Sequence, residues 1–268
     1  MAKERLDKIL TDKGYFETKS KAQAAIMAGD VKVDGVTITK AGQLIEPKEN
    51  MTFEIKSMPF VSRGGFKLDK AIKAFEINLN GKICLDAGAS TGGFTDCMLQ
   101  NGAEKVYSVD VGYGQLAWKL RTDSRVKVVE KVNIKNCSLE DIYDEKEKKA
   151  NFLTMDLSFI SITKVMTNLI ALADENNFEI VSLIKPQFEA GKDQVGKNGV
   201  VREKETHIEV INNIVNYAQS LNLKIKGLSF SPIKGPKGNI EYLIYLSNTG
   251  ENIEFSTEKI VDIAHENT

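Results

Sequence analysis

The chain has 268 residues, which is enough for one large domain and one small domain. Its 42% apolar and 27% charged residues are ordinary for a soluble globular protein and exclude disorder on a large scale. Lysine and arginine total 36 against 37 acidic residues, so the net charge of -1 excludes an overall attraction to nucleic acid or anionic membrane. Any basic surface must therefore be local.

Neither the cysteines nor the N-terminus indicates export or a membrane. The three cysteines, Cys84, Cys97 and Cys137, fit neither a disulfide framework nor a paired zinc site. The two histidines, His207 and His265, have no metal-ligand partners at a useful spacing, so we expect both on the surface. The N-terminus "MAKERLDKILTDKG" has no apolar signal region, and no stretch approaches the roughly 20 apolar residues of a membrane span. We therefore expect a cytoplasmic protein with no metal and no membrane association. Its oligomeric state is open, with a monomer favoured.

The N-terminal part of the chain predicts a small α+β domain. In residues 5–28, apolar residues recur at helical spacing on both sides of a glycine, which predicts two short helices. "VKVDGVTIT" then alternates around Asp34 and Gly35, a hairpin signal because this turn needs positive φ, and "MTFEI" adds a strand. The proline and the glycine pair of "SMPFVSRGG" are typical of a hinge. The predicted domains are 1–56 and 64–268, joined by a linker at 57–63.

The remainder of the chain alternates between strands and helices. The apolar strand candidates are "KICLDAG", "KVYSVDVG", "VKVVEKV", "NFLTMDL" and "FEIVSLIKP", and helical stretches such as "SITKVMTNLIALADE" lie between several of them. This order predicts βαβ units and a parallel sheet with helices on both faces. After a long helix, "LKIKGLSFSPI" and "NIEYLIYLS" have a short connector, which predicts an antiparallel pair at one edge. The predicted fold is α/β and Rossmann-like, with a mostly parallel seven-stranded sheet and an antiparallel edge strand.

The first strand of this sheet leads into a glycine-rich turn, "CLDAGASTGGFT". Asp86 precedes Gly88, and the spacing is not the GxGxxG of a dinucleotide fold, in which a helix N-terminus faces a pyrophosphate. An acid ahead of the turn favours a cofactor with a positive end, such as S-adenosylmethionine, which has a sulfonium and an ammonium group. The alternative is that the glycines only allow the helix and the strand to pack closely.

Polar residues after the next strands extend this site. Asp110 ends "YSVD", at a position where an acid commonly binds ribose hydroxyls. Asn133 either reads the adenine edge or caps "IKNCSLEDI", and Trp118 is expected in the core or beside the cofactor. The predicted cofactor-binding residues are Asp86, Gly88, Ser90, Thr91, Gly92, Gly93, Asp110, Asn133 and Asp156.

Four charged residues are predicted at the edge of the sheet where the carboxyl ends of the strands meet. Asp156 ends "NFLTMD", Lys185 ends "VSLIK", Glu241 opens the last strand, and Lys67 lies on the helix before the first strand. Such charges are costly to bury singly but satisfy each other as a set. A sugar hydroxyl that attacks a methyl sulfonium has to lose a proton, so a lysine acting as its base has to be neutral. Taken singly, each residue also has a structural interpretation, as a snorkelling lysine, a helix cap or a surface ion pair.

Five motifs stand in an order found in a known family. "SRGGFKL", "DAGASTGGFT", "MDLSFIS", "LIKPQFEAG" and "GNIEYLIYL" resemble the FtsJ-like ribose methyltransferases and, more closely, the TlyA family, whose members are often labelled hemolysins. The opening residues, from "RLDKIL" through "KSKAQAAIMAGDVKVDG", resemble an S4 RNA-binding domain. The resemblance implies S-adenosylmethionine-dependent 2′-O-methylation of ribosomal RNA, in this family at cytidine. It also implies a catalytic tetrad of Lys67, Asp156, Lys185 and Glu241, with Lys185 as the candidate base.

Local basic segments supply candidate contacts to ribosomal RNA. An A-form helix hides its bases, so the enzyme has to reach an unpaired or flipped-out nucleotide and needs a second grip on the RNA. Lys19 and Lys21 stand where the second helix begins, although nearby acids leave a solvated face as the alternative. Two further segments are predicted at the ligand edge: the basic loop, residues 189–204, which we expect to be mobile and to order on RNA, and "IKGPKGN". The candidate RNA-binding residues are Arg5, Lys8, Lys19, Lys21, Lys32, Arg63, Lys192, Lys197, Lys234 and Lys237.

Three other functions are alternatives to RNA methylation. A membrane-active toxin is disfavoured because the sequence has no spanning segment and no strongly amphipathic cationic helix. A non-catalytic RNA-binding or ribosome assembly factor would retain the cofactor fold without catalysis. Methylation of a small molecule would leave the N-terminal domain without a purpose.

Overall fold

The computed structural model describes residues 3–16, 18–48, 51–56 and 58–268. Contacts divide the chain into two compact units, Met1–Pro59 and Phe60–Thr268. The division falls inside the predicted linker, whose first residue, Ser57, lies outside the described residues. The domain bounds 1–56 and 64–268 stay a prediction.

The first unit is a small α+β fold, as the sequence predicts. In its hairpin, β2 (Val31–Val33) pairs antiparallel with β3 (Val36–Thr37), and the turn residues Asp34 and Gly35 have φ values of 50° and 78°. The third strand of this sheet, β5 (Phe53–Ile55), pairs with β2. The other elements are β1 (Glu4–Arg5), α1 (Leu6–Asp12), α2 (Lys19–Met27) and β4 (Leu44–Ile45), which pairs with β1.

The core of this unit comes from the apolar faces of both helices and of β2. Leu6 and Leu10 on α1 meet Ile26 on α2, and all three are fully buried. Val31 and Val33 point into the same core because alternate residues of a strand share a face. The apolar residues whose spacing predicted these elements are therefore the ones that the fold buries.

The second unit contains the predicted seven-stranded sheet. Its strands are β6 (Ile83–Ala87), β7 (Lys105–Asp110), β8 (Val126–Glu130), β9 (Phe152–Met155), β10 (Glu179–Ile184), β11 (Lys224–Phe230) and β12 (Tyr242–Ser247). Its strand order is β11-β12-β10-β9-β6-β7-β8, and β12 runs antiparallel to both of its neighbours, so that β11 and β12 form the predicted antiparallel pair at one edge. The other neighbouring strands pair in parallel.

Apolar clusters lie on the two faces of this sheet, as expected of a doubly covered parallel sheet. Along β6, for example, Leu85 joins one cluster and Cys84 the other. The helices of this unit are α3 (Gly65–Ala74), α4 (Gly93–Gln100), α5 (Trp118–Arg121), α6 (Thr163–Ala171), α7 (Pro186–Glu189), α8 (Lys204–Ser220) and α9 (Thr257–Asn267), with 3₁₀ turns at Lys192–Gln194 and Pro236–Gly238.

The last helix, α9, was not predicted from the sequence. Its N-cap is Ser256, whose side chain accepts a hydrogen bond from the Lys259 backbone N–H. Val261 and Ala264 bury one face of the helix. A serine cap followed by apolar residues three apart was therefore an available signal for this helix.

In the part of the chain that the structure describes, no helix is both long enough and apolar enough to span a membrane.

Candidate active site

Lys185 directly follows β10, a strand buried along most of its length. Pro186 then begins α7 at its first position, where a missing N–H costs nothing and a fixed φ suits the helix. The backbone of Lys185 stays extended, with φ -111° and ψ 99°, as expected of a residue before proline. Only 6% of Lys185 is exposed.

The four charged residues predicted at this edge form a continuous chain of ion pairs. Lys185 Nζ lies 2.6 Å from Asp156 Oδ1, and Lys67 Nζ lies 3.4 Å from Asp156 Oδ2. Lys67 Nζ also donates to Glu241 Oε2 at 2.7 Å. The structure therefore brings all four together from α3, the ends of β9 and β10, and the start of β12.

Burial makes these pairs electrostatically strong. Glu241 is fully buried and Lys67 is 7% exposed, whereas Asp156 is only partly buried. Burial by itself lowers the pKa of Lys67, but attraction to Asp156 and Glu241 outweighs it, so the pKa of Lys67 is raised above its usual value. Lys67 is therefore a permanent cation that holds two carboxylates in place.

Three neighbours of this cluster were missed by sequence reasoning. Ser158 Oγ accepts a hydrogen bond from Lys185 Nζ at 3.3 Å, and Gln187 Nε2 donates to Glu241 Oε1 at 3.4 Å. Gly235 packs so closely that a Cβ placed on it would lie 2.1 Å from Glu241 Oε1. Ser158 and Gln187 stood inside the motifs "MDLSFIS" and "LIKPQFEAG", but only the folded chain identifies their partners.

Replacing Gly235 by alanine is expected to lower the rate of the methyl transfer that the sequence predicts by about 10²-fold, because the added side-chain carbon would displace the Glu241 carboxylate. The backbone at Gly235 has φ -67°, which alanine adopts without strain, so displacement is the dominant effect. The matched control is Gly191→Ala: at φ -61° its Cβ would meet only the end of the Gln194 side chain, at 3.4 Å. Because Gly191 lies in the basic loop, the two variants are compared in a labelled-methyl assay at saturating RNA, and equal kcat values would contradict the expectation.

Two cavities open beside the ion pairs and meet at Gly88, Ser90, Asp156 and Ser158, which line both. The first has a volume of about 420 Å³, and the second has a volume of about 490 Å³ and a more apolar wall. The first is also lined by Ser62, Arg63, Lys67, Asp86, Thr91, Gly93, Lys185 and Lys234, among others. The second is also lined by Val109, Asp110, Gln115, Asn133, Leu157, Phe159 and Ile160, among others.

Asp86 lies at the wall of the first cavity and is fully buried. Its Oδ2 accepts hydrogen bonds from the Thr95 N–H at 2.9 Å and the Thr95 hydroxyl at 2.7 Å, and its Oδ1 accepts from the Thr154 hydroxyl at 3.0 Å. Burial raises the pKa of Asp86 to about 6, against the lowering effect of these hydrogen bonds. A cationic group in the first cavity would lower this pKa and further favour the ionised carboxylate.

The three predicted glycines have different structural reasons. Gly88 has φ 85°, and a Cβ on it would lie 3.0 Å from the Asp156 backbone oxygen, so both its conformation and its packing favour glycine. It lines both cavities, at their junction. A Cβ on Gly93 would lie 2.3 Å from Ser62 Oγ, so Gly93 lets the segment before α3 approach the start of α4. Gly92 has φ 94° and packs against Leu120 rather than lining either cavity. For Gly92, the close-packing alternative is what the structure supports.

Asp110 and Asn133 line the second cavity and also stabilise the loops that carry them. Asp110 Oδ2 accepts from the Ser90 N–H and its Oδ1 from the Gly112 N–H, each at 2.7 Å. Asn133 Oδ1 accepts from the Lys135 N–H at 3.0 Å, so its side chain does cap the following turn. Each carboxylate oxygen of Asp110 has a second lone pair for a ligand hydroxyl.

The candidate RNA-binding residues of the first unit are exposed, but several are paired with acids. Lys19 and Lys21 lie at the start of α2, where Thr18 Oγ1 accepts from the Lys21 backbone N–H. Paired cations add less to a positive field than isolated ones. The pairs are Arg5 with Asp7, Lys8 with Glu4 and Asp12, and Lys32 with Glu54.

In the second unit, the two predicted basic segments lie against each other. Asn239 Nδ2, beyond Lys237, donates to the Gly199 carbonyl oxygen at 2.9 Å, and a Cβ on Gly199 would lie 3.7 Å from Lys237 Nζ. The candidate RNA-binding residues of this unit are all exposed: Arg63, Lys192, Lys197, Lys234 and Lys237. Two of them, Arg63 and Lys234, also line the first cavity. The mobility of the basic loop stays a prediction.

Two sequence expectations about single residues were wrong. His207 was expected on the surface, but it is fully buried because it shares a helical face with Val210, Ile211 and Ile214. Trp118 was expected in the core or beside the cofactor, but it is 72% exposed and lines neither cavity. Burial of a histidine on an apolar helical face was readable from the spacing, whereas exposure of the tryptophan was not.

Comparisons with known proteins identify the family of each part of the chain. Residues 60–248 match the family model of the FtsJ-like methyltransferases, and residues 4–50 match that of the S4 domain. The chain is 39% identical over 262 residues to the 16S/23S rRNA (cytidine-2′-O)-methyltransferase TlyA of Mycobacterium tuberculosis, covering 97% of this chain and 96% of that protein. It is 45% identical over 242 residues to Hemolysin A of Brachyspira hyodysenteriae, covering 90% of this chain and 98% of that protein.

A solved structure from Streptococcus thermophilus that bears the hemolysin name has a TM-score of 0.77 and 40% identity, covering 100% of this chain and 97% of that one. The family match spans most of the second unit and more than half of the chain. The resemblance inferred from the five motifs is therefore confirmed. The chain belongs to the FtsJ-like methyltransferase family and carries an S4 domain ahead of its methyltransferase domain.

Proposed function

We propose that this protein transfers a methyl group from S-adenosylmethionine to the 2′-hydroxyl of a cytidine in ribosomal RNA. The observation that carries the proposal is the chain of ion pairs from Lys185 through Asp156 and Lys67 to Glu241, beside two joined cavities. An S4 domain and relatives named as rRNA (cytidine-2′-O)-methyltransferases support RNA as the substrate and cytidine as the target.

The donor set of the two cavities fits S-adenosylmethionine. Asp110 would bind the ribose hydroxyls, Asn133 and the apolar wall of the second cavity would bind the adenine, and Asp86 would face the positively charged end. Gly88 and Ser90 line both cavities and would lie along the cofactor between its two ends. When bound, the cofactor supplies an electrophilic methyl group on a sulfonium. The S-adenosylmethionine site stays a proposal for each of these residues.

Lys185 is the residue we assign as the base. A ribose hydroxyl is a weak nucleophile, and Lys185 Nζ in its neutral form would accept its proton as the oxygen attacks. The ammonium that pairs with Asp156 would first release its own proton to solvent. Lys67 is unsuited to this role because its pKa is raised by Asp156 and Glu241. Asp156 contacts both lysines and would hold Lys185 in position, while Glu241 would hold Lys67.

The test is transfer of labelled methyl from S-adenosylmethionine to ribosomal subunits that lack the modification. We expect wild-type protein to label RNA, and mass spectrometry of the digested RNA to place the label on the ribose of a cytidine. Label on a base, or on no RNA at all, would contradict the proposal. The same assay with small ribosides as acceptors separates an RNA enzyme from a small-molecule methyltransferase.

A further inference from the structure

His207 is a fully buried histidine on α8 that the proposed chemistry does not use. Its Nε2 lies 3.1 Å from the Val201 carbonyl oxygen and its Nδ1 lies 2.7 Å from the Tyr242 hydroxyl. A carbonyl oxygen only accepts, so Nε2 carries the hydrogen, and Nδ1 then accepts from the Tyr242 O–H. Burial lowers the pKa of His207, in agreement with this neutral tautomer.

Val201 is the buried anchor of the basic loop. Its backbone N–H donates to Asn239 Oδ1 at 3.1 Å, while its carbonyl oxygen accepts from His207. Asn239 also donates to the Gly199 carbonyl oxygen at 2.9 Å. Both backbone polar groups of Val201 are thus held by side chains from outside the loop.

These anchors converge on the segment that carries Glu241. Asn239 lies two residues before Glu241, and Tyr242 is the residue directly after Glu241. Tyr242 is fully buried in β12, so its hydroxyl fixes the orientation of the His207 ring from inside the sheet. The basic loop is therefore joined to the Glu241 segment on both sides, directly through Asn239 and indirectly through His207.

We propose that His207 is a positioning residue, which clamps the basic loop to the strand beginning beside Glu241 so that Lys192 and Lys197 meet the RNA in a fixed position. The role in RNA binding rests on the proposed function, whereas the clamp itself does not. His207 touches neither cavity and is no part of the ion-pair cluster. The decisive bond is the one that Nε2 donates to Val201.

Two substitutions separate the two ring nitrogens of His207. Glutamine places an amide nitrogen near the position of Nε2 and keeps a donor for Val201. Asparagine places its amide near the position of Nδ1, so it keeps an acceptor for Tyr242 and loses the donor to Val201. Glutamine is close to histidine in volume and asparagine is smaller, so a third variant, His207→Leu, fills the space without any donor. A purely space-filling role predicts that His207→Leu behaves like wild type, and that result would overturn the clamp, which predicts that it behaves like His207→Asn.

The first readout is independent of methylation and reports on the loop alone. We expect trypsin to cleave His207→Asn after Lys197 about tenfold faster than wild type, as for the loss of one buried hydrogen bond, and His207→Gln to be cleaved at close to the wild-type rate. Far-ultraviolet circular dichroism verifies that both variants are folded. Equal cleavage of the two variants would overturn the clamp.

The second readout is the kinetics of RNA methylation. We expect His207→Asn to raise KM for RNA by about tenfold, with kcat and the Kd for S-adenosylmethionine unchanged, and His207→Gln to restore KM. A change confined to kcat or to cofactor affinity would overturn the link to RNA. If wild-type protein methylates no RNA, the proposed function fails, and the proteolysis comparison still decides whether His207 holds the loop.

Discussion

Replacing Lys185 by methionine is expected to lower kcat for methyl transfer by about 10³-fold, the scale of a lost general base. Methionine keeps an apolar stem of similar length but has no amine to accept the ribose proton. Lys185 lines the first cavity, whereas the second cavity is formed without it, so we expect the Kd for S-adenosylmethionine to stay close to the wild-type value. Labelled-methyl transfer and calorimetric titration of the cofactor measure the two effects separately.

Lys185→Arg distinguishes a base from a fixed positive charge at this position. Arginine can keep an ion pair with Asp156, which lies 2.6 Å from Lys185 Nζ, but it stays protonated and cannot accept a proton. We therefore expect Lys185→Arg to be as inactive as Lys185→Met. The control is Lys146→Met, which removes an exposed lysine far from the ion-pair cluster. The next residue, Glu147, pairs with Lys105 at the start of β7, and this end of the sheet is opposite to the end that carries Lys185. Substantial activity of Lys185→Arg would exclude the proton-acceptor role.

The placement of Asp156 and Lys185 was predictable because it follows from topology. Both end strands of a parallel sheet, and the carboxyl ends of such strands meet at one edge whatever the side-chain packing is. Their contact at 2.6 Å also required that β9 and β10 be neighbours, which their order in the chain favours.

The environment of Glu241 was harder to predict. Glu241 precedes β12, which is inserted antiparallel between β10 and β11, so its distance from Lys67 depends on a strand order that periodicity does not contain. The close approach of Gly235 depends on loop packing in the same way. His207 was predicted on the surface because it has no ligand partners at a useful spacing, although the apolar residues around it indicated a buried face.

Replacing Lys67 by methionine is expected to lower the free energy of unfolding by about 3–5 kcal/mol, because it leaves the fully buried Glu241 carboxylate without its cation. Among the described residues, the other side-chain hydrogen-bond donor to the Glu241 carboxylate is Gln187 Nε2 at 3.4 Å, which is neutral and does not replace the charge of Lys67. We also expect methyl transfer to be lost, since Asp156 then keeps Lys185 as its only lysine partner among the described residues. Urea denaturation followed by circular dichroism measures the stability.

The double variant Lys67→Met/Glu241→Gln separates the cost of the unpaired charge from the loss of function. Neutral glutamine removes the buried charge, so we expect most of the lost stability to return while methyl transfer stays absent. The control pair is Lys82 and Glu179, which lie 2.7 Å apart on the same unit but have side chains that are 22% and 21% exposed, so Lys82→Met should cost only about 1 kcal/mol. If Lys67→Met lowered the free energy of unfolding no more than Lys82→Met, the pair between Lys67 and Glu241 would not be what holds the Glu241 carboxylate in place. If the double variant regained activity, Lys67 and Glu241 would serve the fold alone and the catalytic set would contract to Lys185 and Asp156.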